Sequence, residues 1–295
     1  MKSKSDKEWL VLVNPHAGGS KGAHDLPKIK KLLDNMRFSY LLVTSDFPKH
    51  AIKLTIECLK LGFRKIIVVG GDGTLNEVVN GLFRCKAINP VDVKIGMIPV
   101  GTGNDWVRTF QIPTSYSEAL SVIKKEESML QDVGCIQIKS KTAYRTRYFV
   151  NMAGFGFDAR VAEKANKLKA RGKTGLFVYL YSLLSSYVNY RIRRIAFEID
   201  GEGIDDFIFN ASIGIGKFNG GGMKQAPDAI PNNGVFQVTL IKKIGVFGIL
   251  KNLVGLYNGT YINDHRVVTF QAKHVAVRSF IPVAGEVDGE HLGKA

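Results

Sequence analysis

The spacing of apolar positions changes once along the chain. Up to about residue 130, short apolar runs alternate with segments whose apolar positions recur every three to four residues, as in a parallel sheet covered by helices. Trp9–Asn14 (WLVLVN) predicts a buried strand, followed by a glycine-rich turn and a helix from about Asp25 to Asn35 with Leu26, Ile29, Leu32 and Leu33 on one face. Residues 38–44 predict a second strand, and His50–Leu61 a second helix closed by Gly62 as a left-handed cap. A strand over 65–71, a helix over Leu75–Phe83, a strand over 94–100 and a helix over Ser117–Lys124 complete this half. From about Gln131 the period becomes two. QDVGCIQIKS, RYFVNMAGFG, RIAFEIDG, FIFNASIGIG and GVFQVTLIKK read as strands, with helices over about 158–170, 175–188 and 246–257. The prediction is an α/β domain with a parallel sheet over 1–130 and a mostly antiparallel, β-rich domain over 131–295.

Composition excludes several classes. The chain has 295 residues, 45% hydrophobic and 23% charged, so it is neither disordered nor fibrous. Three distant cysteines, Cys58, Cys85 and Cys135, argue against a disulfide scaffold or zinc ribbon and fit a cytoplasmic setting. The first apolar run is too short for a signal peptide, and no run reaches the length of a membrane span. The six histidines show no ligand spacing.

The candidate chemistry lies in three loops. Val69-Gly70-Gly71-Asp72-Gly73-Thr74-Leu75-Asn76-Glu77 follows an apolar strand and opens a helix, which presents backbone N–H groups to a phosphate. The glycines permit close approach, Thr74 can cap the helix, and Asp72 sits where a carboxylate could hold a metal-bridged phosphate. Taken alone, the run also reads as an ordinary tight turn. Asn14-Pro15-His16-Ala17-Gly18-Gly19 ends the first strand and Gly101-Thr102-Gly103-Asn104-Asp105 ends the fourth, while Thr44 ends the second. All of them fall at the carboxyl edge of one parallel sheet, where open α/β sheets bind ligands. Neither a Walker P-loop, a GxGxxG at the first strand nor a GxSxG elbow is present.

These loops, with Asn151–Asp158 (NMAGFGFD), Gly220-Gly221-Gly222 before Ala226-Pro227, and Asp288-Gly289-Glu290, resemble the diacylglycerol kinase catalytic family, in order from Asn14 to Glu290. The match is closest to its soluble bacterial lipid kinases. GGDGT is shared with NAD kinases; GTGND and the terminal DGE favour the lipid kinases. The resemblance implies two domains with a nucleotide cleft between them. It implies that ATP meets Asn14, Pro15, His16, Ala17, Gly18, Thr44, Gly70, Gly71, Asp72, Gly73, Thr74, Leu75, Asn76, Glu77, Thr102 and Asp105. Asp72 and Asp105 would place a catalytic Mg²⁺, and Asp288 and Glu290 would form the acidic pair that supplies the base. On its own, the Asp-Gly of DGE reads as a hairpin turn. A structural Mg²⁺ would use Ile230, Val235 and an acid between them, but Asn233 stands in the acid's place and brings no charge. The family also continues past DGE with a strand returning to the first domain, whereas this sequence stops at Ala295. The resemblance therefore implies a missing tail or a different packing.

Charge adds a partner. Forty-one Lys and Arg against 26 acids give +15, and Lys139–Arg194 holds 13 basic residues against two acids, a net of +11. Arg160, Lys164, Lys167, Lys169, Arg171 and Lys173 precede the apolar Gly175–Tyr190 stretch. A basic stripe beside an amphipathic segment suits peripheral contact with an anionic membrane surface, although a solvated charged face has the same composition. Aromatic residues there recur at helical spacing and no recognition motif is present, so nucleic acid is not expected. The expected reaction is ATP- and Mg²⁺-dependent phosphorylation of a membrane lipid hydroxyl. The alternatives are an NAD kinase and a protein that binds nucleotide or lipid without catalysis. A homodimer is compatible with this reading, but nothing in the sequence argues for one.

Overall fold

Parallel pairing builds the first part of the chain and antiparallel pairing the second in a computed structural model that describes residues 8–139, 144–169, 181–182, 185–187, 190–245, 248 and 254–294. The chain divides into two compact units, Met1–Leu130 and Gln131–Ala295.

In the first unit, β1 (Trp9–Val13), β2 (Tyr40–Thr44), β3 (Lys65–Gly70) and β4 (Lys94–Pro99) form a wholly parallel sheet in the order β2-β1-β3-β4. β1 is buried at every position because both faces are covered. Trp9, Val11 and Val13 pack with Ile29 and Leu33 of α2 (Leu26–Asn35) and with Leu120 and Ile123 of α6 (Tyr116–Lys125). Leu10 and Leu12 are equally enclosed on the other face, where α3 (His50–Lys60) and α4 (Asp72–Arg84) pack together and α4 contacts β3. Gly62 ends α3 at φ +101, with the Gly62 and Phe63 N–H groups donating to Leu59 and Cys58 carbonyls, as the predicted cap requires. Successive strands run to opposite sides of β1, so the sheet reverses its winding between β1 and β3. That reversal is the place where α/β sheets leave a crevice for ligands.

The second unit is antiparallel throughout. β7 (Met152–Gly156), β8 (Arg193–Ile199), β9 (Glu202–Gly214), β10 (Phe236–Lys242), β11 (Val267–Ala272), β12 (Val275–Arg278), β13 (Ala284–Val287) and β14 (Glu290–Lys294) form one sheet. β5 (Gly134–Lys139) and β6 (Tyr144–Phe149) form a separate hairpin. The core is built on Ile195, Phe197, Ile208, Ala211, Val238, Leu240 and Val287. The predicted strand RYFVNMAGFG is in fact two, β6 and β7, broken at Val150–Asn151. The predicted helix at 158–170 is α7 (Phe157–Lys169). Most of the helices predicted over 175–188 and 246–257 lie outside the described residues. No helix of the described residues is long and apolar enough to cross a membrane.

Candidate functional site

Three loops at the carboxyl edge of the parallel sheet lock into one another. Asn14 leaves β1 with its N–H on the Val69 carbonyl, its side-chain amide donates to Thr74 Oγ1 at 2.9 Å, and its Oδ1 accepts the His16 N–H at 3.0 Å. One asparagine thus ties the first loop to the start of α4, across the reversal of the sheet. The chain then passes through Gly18, Gly19 and Ser20, all left-handed (φ +62, +70 and +73). A methyl group on Gly18 would strike the Val100 carbonyl, so this loop also touches the end of β4.

The second and third loops meet backbone to backbone. Val100 and Gly101 N–H groups both donate to the Gly70 carbonyl, and a methyl on Gly101 would lie 2.5 Å from the Gly71 Cα. Asp72 accepts the Asp105 and Trp106 N–H groups at 3.1 and 3.0 Å, capping α5 (Asp105–Thr109), a helix the sequence pattern does not predict. The two aspartates are thereby brought together, with Asp105 5% exposed. Asn104, left-handed at φ +52, donates to the Gly101 carbonyl, while its Oδ1 is enclosed and has no partner among the described residues. An acceptor left without a donor beside glycine backbones is what a bound polar ligand would satisfy.

The remaining predicted residues divide by side chain. Pro15, His16, Ala17, Thr44, Gly73 and Thr102 lie on these loops or at the end of β2, with His16 and Thr102 exposed. Leu75 is core, and Asn76 is enclosed with its Oδ1 accepting from Asn80. Glu77 accepts the Lys49 and Ala51 N–H groups at 2.9 and 3.2 Å. Its side chain therefore shapes the loop after Thr44, a positioning role that motif spacing gives no sign of. For Mg²⁺ the donor chemistry fits: Asp72 and Asp105 put two carboxyl groups on adjoining loops, and each Asp72 oxygen keeps a lone pair beyond its backbone bond.

In the second unit, Asp288-Gly289 is the turn between β13 and β14, left-handed at both residues (φ +46 and +78) with Val287 opposite Glu290. The hairpin expected of Asp-Gly is formed, and it carries the acidic pair. Asp288 is 6% exposed. Its carboxylate accepts the N–H groups of Val150 (3.0 Å), Asn151 (2.9 Å) and Met152 (3.0 Å), at the break between β6 and β7. Glu290, by contrast, is exposed.

A further acid lies behind the turn. Glu286, fully buried in β13, accepts the Gly289 N–H at 2.7 Å and the Asn219 side-chain amide at 3.0 Å. Gly154 makes room for it, since a methyl there would sit 2.7 Å from Glu286 Oε1. Asn219 continues to Gln225, Ser212 and Asn210, and Asn210 donates to Asp158 at 2.5 Å. Loss of water raises both carboxyls, Glu286 to about 8 and Asp158 to about 6; the negative charges of Asp158 and Asp288 raise Glu286 further, while hydrogen bonds from Asn210 and Gln225 hold Asp158 back. His291 faces Glu286 across the hairpin. Because the folded Glu286 holds its proton where the unfolded one has lost it, this group's contribution to stability falls as pH rises from the ordinary carboxylate range to about 8, and is flat above. Thermal unfolding followed against pH should show that decline, and Glu286→Gln should flatten it.

The proposed structural metal loop is held by protein groups. Asn233 Oδ1 accepts the Val235 N–H at 3.2 Å, and Gly234 donates to Asp132 at 2.7 Å, while Ile230 is half exposed. Without a charge at Asn233, the set Ile230, Asn233 and Val235 fits Mg²⁺ poorly. Asp132, which lies in none of the sequence motifs, braces this loop. On α7, Lys164 lies 5.2 Å from the Tyr181 ring and Lys167 is exposed; the Lys169 side chain, Arg171 and Lys173 lie outside the described residues.

Residues 8–136 match the diacylglycerol kinase catalytic domain, and residues 151–295 match the YegS C-terminal NAD kinase beta sandwich-like domain. The chain is 29% identical over 290 residues to a diacylglycerol kinase of Staphylococcus carnosus (strain TM300), covering 98% of this chain and 90% of that one. It is 27% identical over 289 residues to a diacylglycerol kinase of Staphylococcus aureus (strain MRSA252), covering 98% and 87%. A crystal structure of a diacylglycerol kinase from Bacillus anthracis str. Sterne superposes with a TM-score of 0.66 at 21% identity, over 98% of this chain and 92% of that one, a likeness of fold.

Proposed function

Because the chain belongs to the diacylglycerol kinase catalytic family, we propose that it is an ATP-dependent lipid kinase, transferring the γ-phosphate to a hydroxyl of a membrane lipid such as diacylglycerol. The observation that carries this reading is the backbone contact of Gly71 with Gly101, flanked by the paired Asp72 and Asp105, at the reversal of a parallel sheet.

In this reading the left-handed loop after Asn14, the Gly70–Thr74 turn and the Gly101–Asp105 loop bind and orient the triphosphate through backbone N–H groups. Asn104 Oδ1 offers the nucleotide an acceptor that no donor among the described residues uses. Asp72 and Asp105 would hold Mg²⁺, which when bound supplies positive charge against the phosphates. Thr44 is set beside the site by the grip of Glu77 on the following loop.

The acidic pair divides its work. Asp288 already accepts three N–H bonds, which occupy its oxygens and leave it a poor proton acceptor. Glu290, exposed next to that fixed turn, is the proton acceptor: it takes the lipid hydroxyl proton as the oxygen attacks the γ-phosphorus and the bond to the β-phosphate oxygen breaks, leaving ADP. Asp288 holds the turn. The exposed Lys167 of α7, with Lys164 near it, suits a protein that works at an anionic lipid surface from the cytoplasmic side.

Incubation with γ-labelled ATP, Mg²⁺ and a bacterial lipid extract should give one labelled lipid. Glu290→Gln should lower its rate about 10²–10³-fold while keeping ATP affinity. Label appearing in NADP from added NAD would assign the rival NAD kinase instead, and ATP binding with no transfer to any acceptor would leave a binding protein.

A further inference from the structure

Phe280 is the most exposed apolar side chain of the described residues, 108% accessible, and Ile281 beside it is 50% exposed. They tip the loop joining β12 to β13. The loop is shaped: the Ser279 hydroxyl donates to the Ile281 carbonyl at 2.7 Å and reaches the Arg194 carbonyl at 3.4 Å. Phe207, 54% exposed, stands directly across the β8–β9 pair from Arg194. The same end of the sheet carries Arg191, Arg193, Arg194 and Arg278. Arg194 pairs with Asp205 at 3.0 Å and Arg278 with Glu198 at 3.5 Å, both in water, while Arg191 and Arg193 have no acid partner among the described residues. Exposed pairs of this kind are weak and readily exchange one anion for another.

We infer that the Ser279–Pro282 loop is a membrane anchor, with Phe280 and Ile281 entering the surface layer of an anionic bilayer and the surrounding arginines meeting lipid phosphates. Shape argues for lipid over protein. Two adjacent side chains on a protruding turn offer far less than the roughly 800 Å² per partner of a stable protein interface, yet suit insertion between headgroups. Charge argues the same way, because guanidinium groups match phosphate with paired hydrogen bonds and are less tightly hydrated than ammonium groups.

That the partner is a membrane rests on the lipid-kinase reading. Ile281 of the anchor lies seven residues before Asp288, at the other end of the four-residue strand β13, which alone spans about 13 Å. It therefore holds the protein at the surface and takes no part in the chemistry. It is also distinct from the α7 lysines, which carry charge without an apolar tip.

The test uses the full chain with vesicles of phosphatidylcholine containing phosphatidylglycerol. The double variant Phe280→Ser, Ile281→Ser should partition about thirtyfold or more weakly than the parent in co-sedimentation. It should phosphorylate a short-chain diacylglycerol dissolved as monomers at the parent rate. Phe280→Trp should shift its emission to the blue on these vesicles, be quenched by lipids brominated along the acyl chain, and lose affinity as salt rises. No vesicle binding by the parent, unchanged binding by the double variant, or no blue shift would overturn the anchor. So would a dimer of the parent that the double variant dissociates without loss of vesicle binding, which would assign the tip to a second copy. Should the anchor behave as expected while no lipid is phosphorylated in either form, the lipid-kinase reading fails and the anchor stands.

Discussion

Asp288→Ala is expected to destabilise the β-rich unit by about 3–5 kcal/mol, well beyond the effect of an ordinary active-site substitution. The variant removes one carboxylate and leaves three N–H groups, those of Val150, Asn151 and Met152, without their acceptor. Each enclosed donor left unpaired costs about 1–3 kcal/mol, and water entering the gap offsets part of that. Val150, Asn151 and Asp288 are all enclosed, so relaxation is limited. The same carboxylate bridges the break between two strands, so its loss also frees the β6–β7 corner. Asp288→Asn keeps one acceptor but turns an amide N–H₂ toward a backbone donor, and should lie between parent and alanine. Denaturant unfolding followed by far-ultraviolet circular dichroism measures these differences. The exposed Glu290→Gln should stay within about 0.5 kcal/mol of the parent in the same experiment. An Asp288→Ala midpoint equal to the parent's would refute the bracing. One practical consequence is that lost activity in an Asp288 variant says little about proton transfer, and Glu290 is the position at which to test it.

Which parts of this molecule could be read from its sequence depends on where the information sits. β1, β3 and the helices beside them were legible because burial on both faces writes an unbroken apolar run, as in WLVLV and KIIVVG. The meeting of three loops was legible for a related reason: parallel strands put all their carboxyl ends on one edge. β13 was not predicted, because its four buried positions are Ala284, Gly285, Glu286 and Val287, a sequence with neither apolar run nor alternation. Its glutamate is enclosed only because Gly154 on the neighbouring strand leaves room and Asn219 supplies a donor, both far away in the chain. RYFVNMAGFG reads as one strand by its period, and what divides it is Asp288, more than a hundred residues later. Glu77 shows the same limit in a motif. Its type and place suggest a nucleotide contact, and nothing in the motif signals that its oxygens also hold the start of α3.

Gly101→Ala should weaken ATP binding about a hundredfold, near 2.7 kcal/mol, in a protein that still folds. A methyl at this position would lie 2.5 Å from the Gly71 Cα and 2.7 Å from Asn104 Oδ1. Ordinary contact between carbons begins near 3.5 Å, so the two loops must part by about an ångström. The Asp72 bonds to Asp105 and Trp106, now 3.1 and 3.0 Å, cannot survive that separation, and α5 loses its cap. The loops that carry Asp72 and Asp105 then drift apart, and the Asn104 side-chain oxygen is pushed from its place beside Gly101. Folding suffers less, by about 1–3 kcal/mol, because the strain falls at the mouth of the sheet and can relax outward. Gly203→Ala is the fitting control, since a methyl there meets nothing within 4 Å. Titration calorimetry with ATP and Mg²⁺ reads the affinity, and circular dichroism confirms the fold. A folded Gly101→Ala protein that binds ATP as the parent does would mean that the nucleotide does not rest on these loops, and the assignment of Asp72 and Asp105 would fall with it.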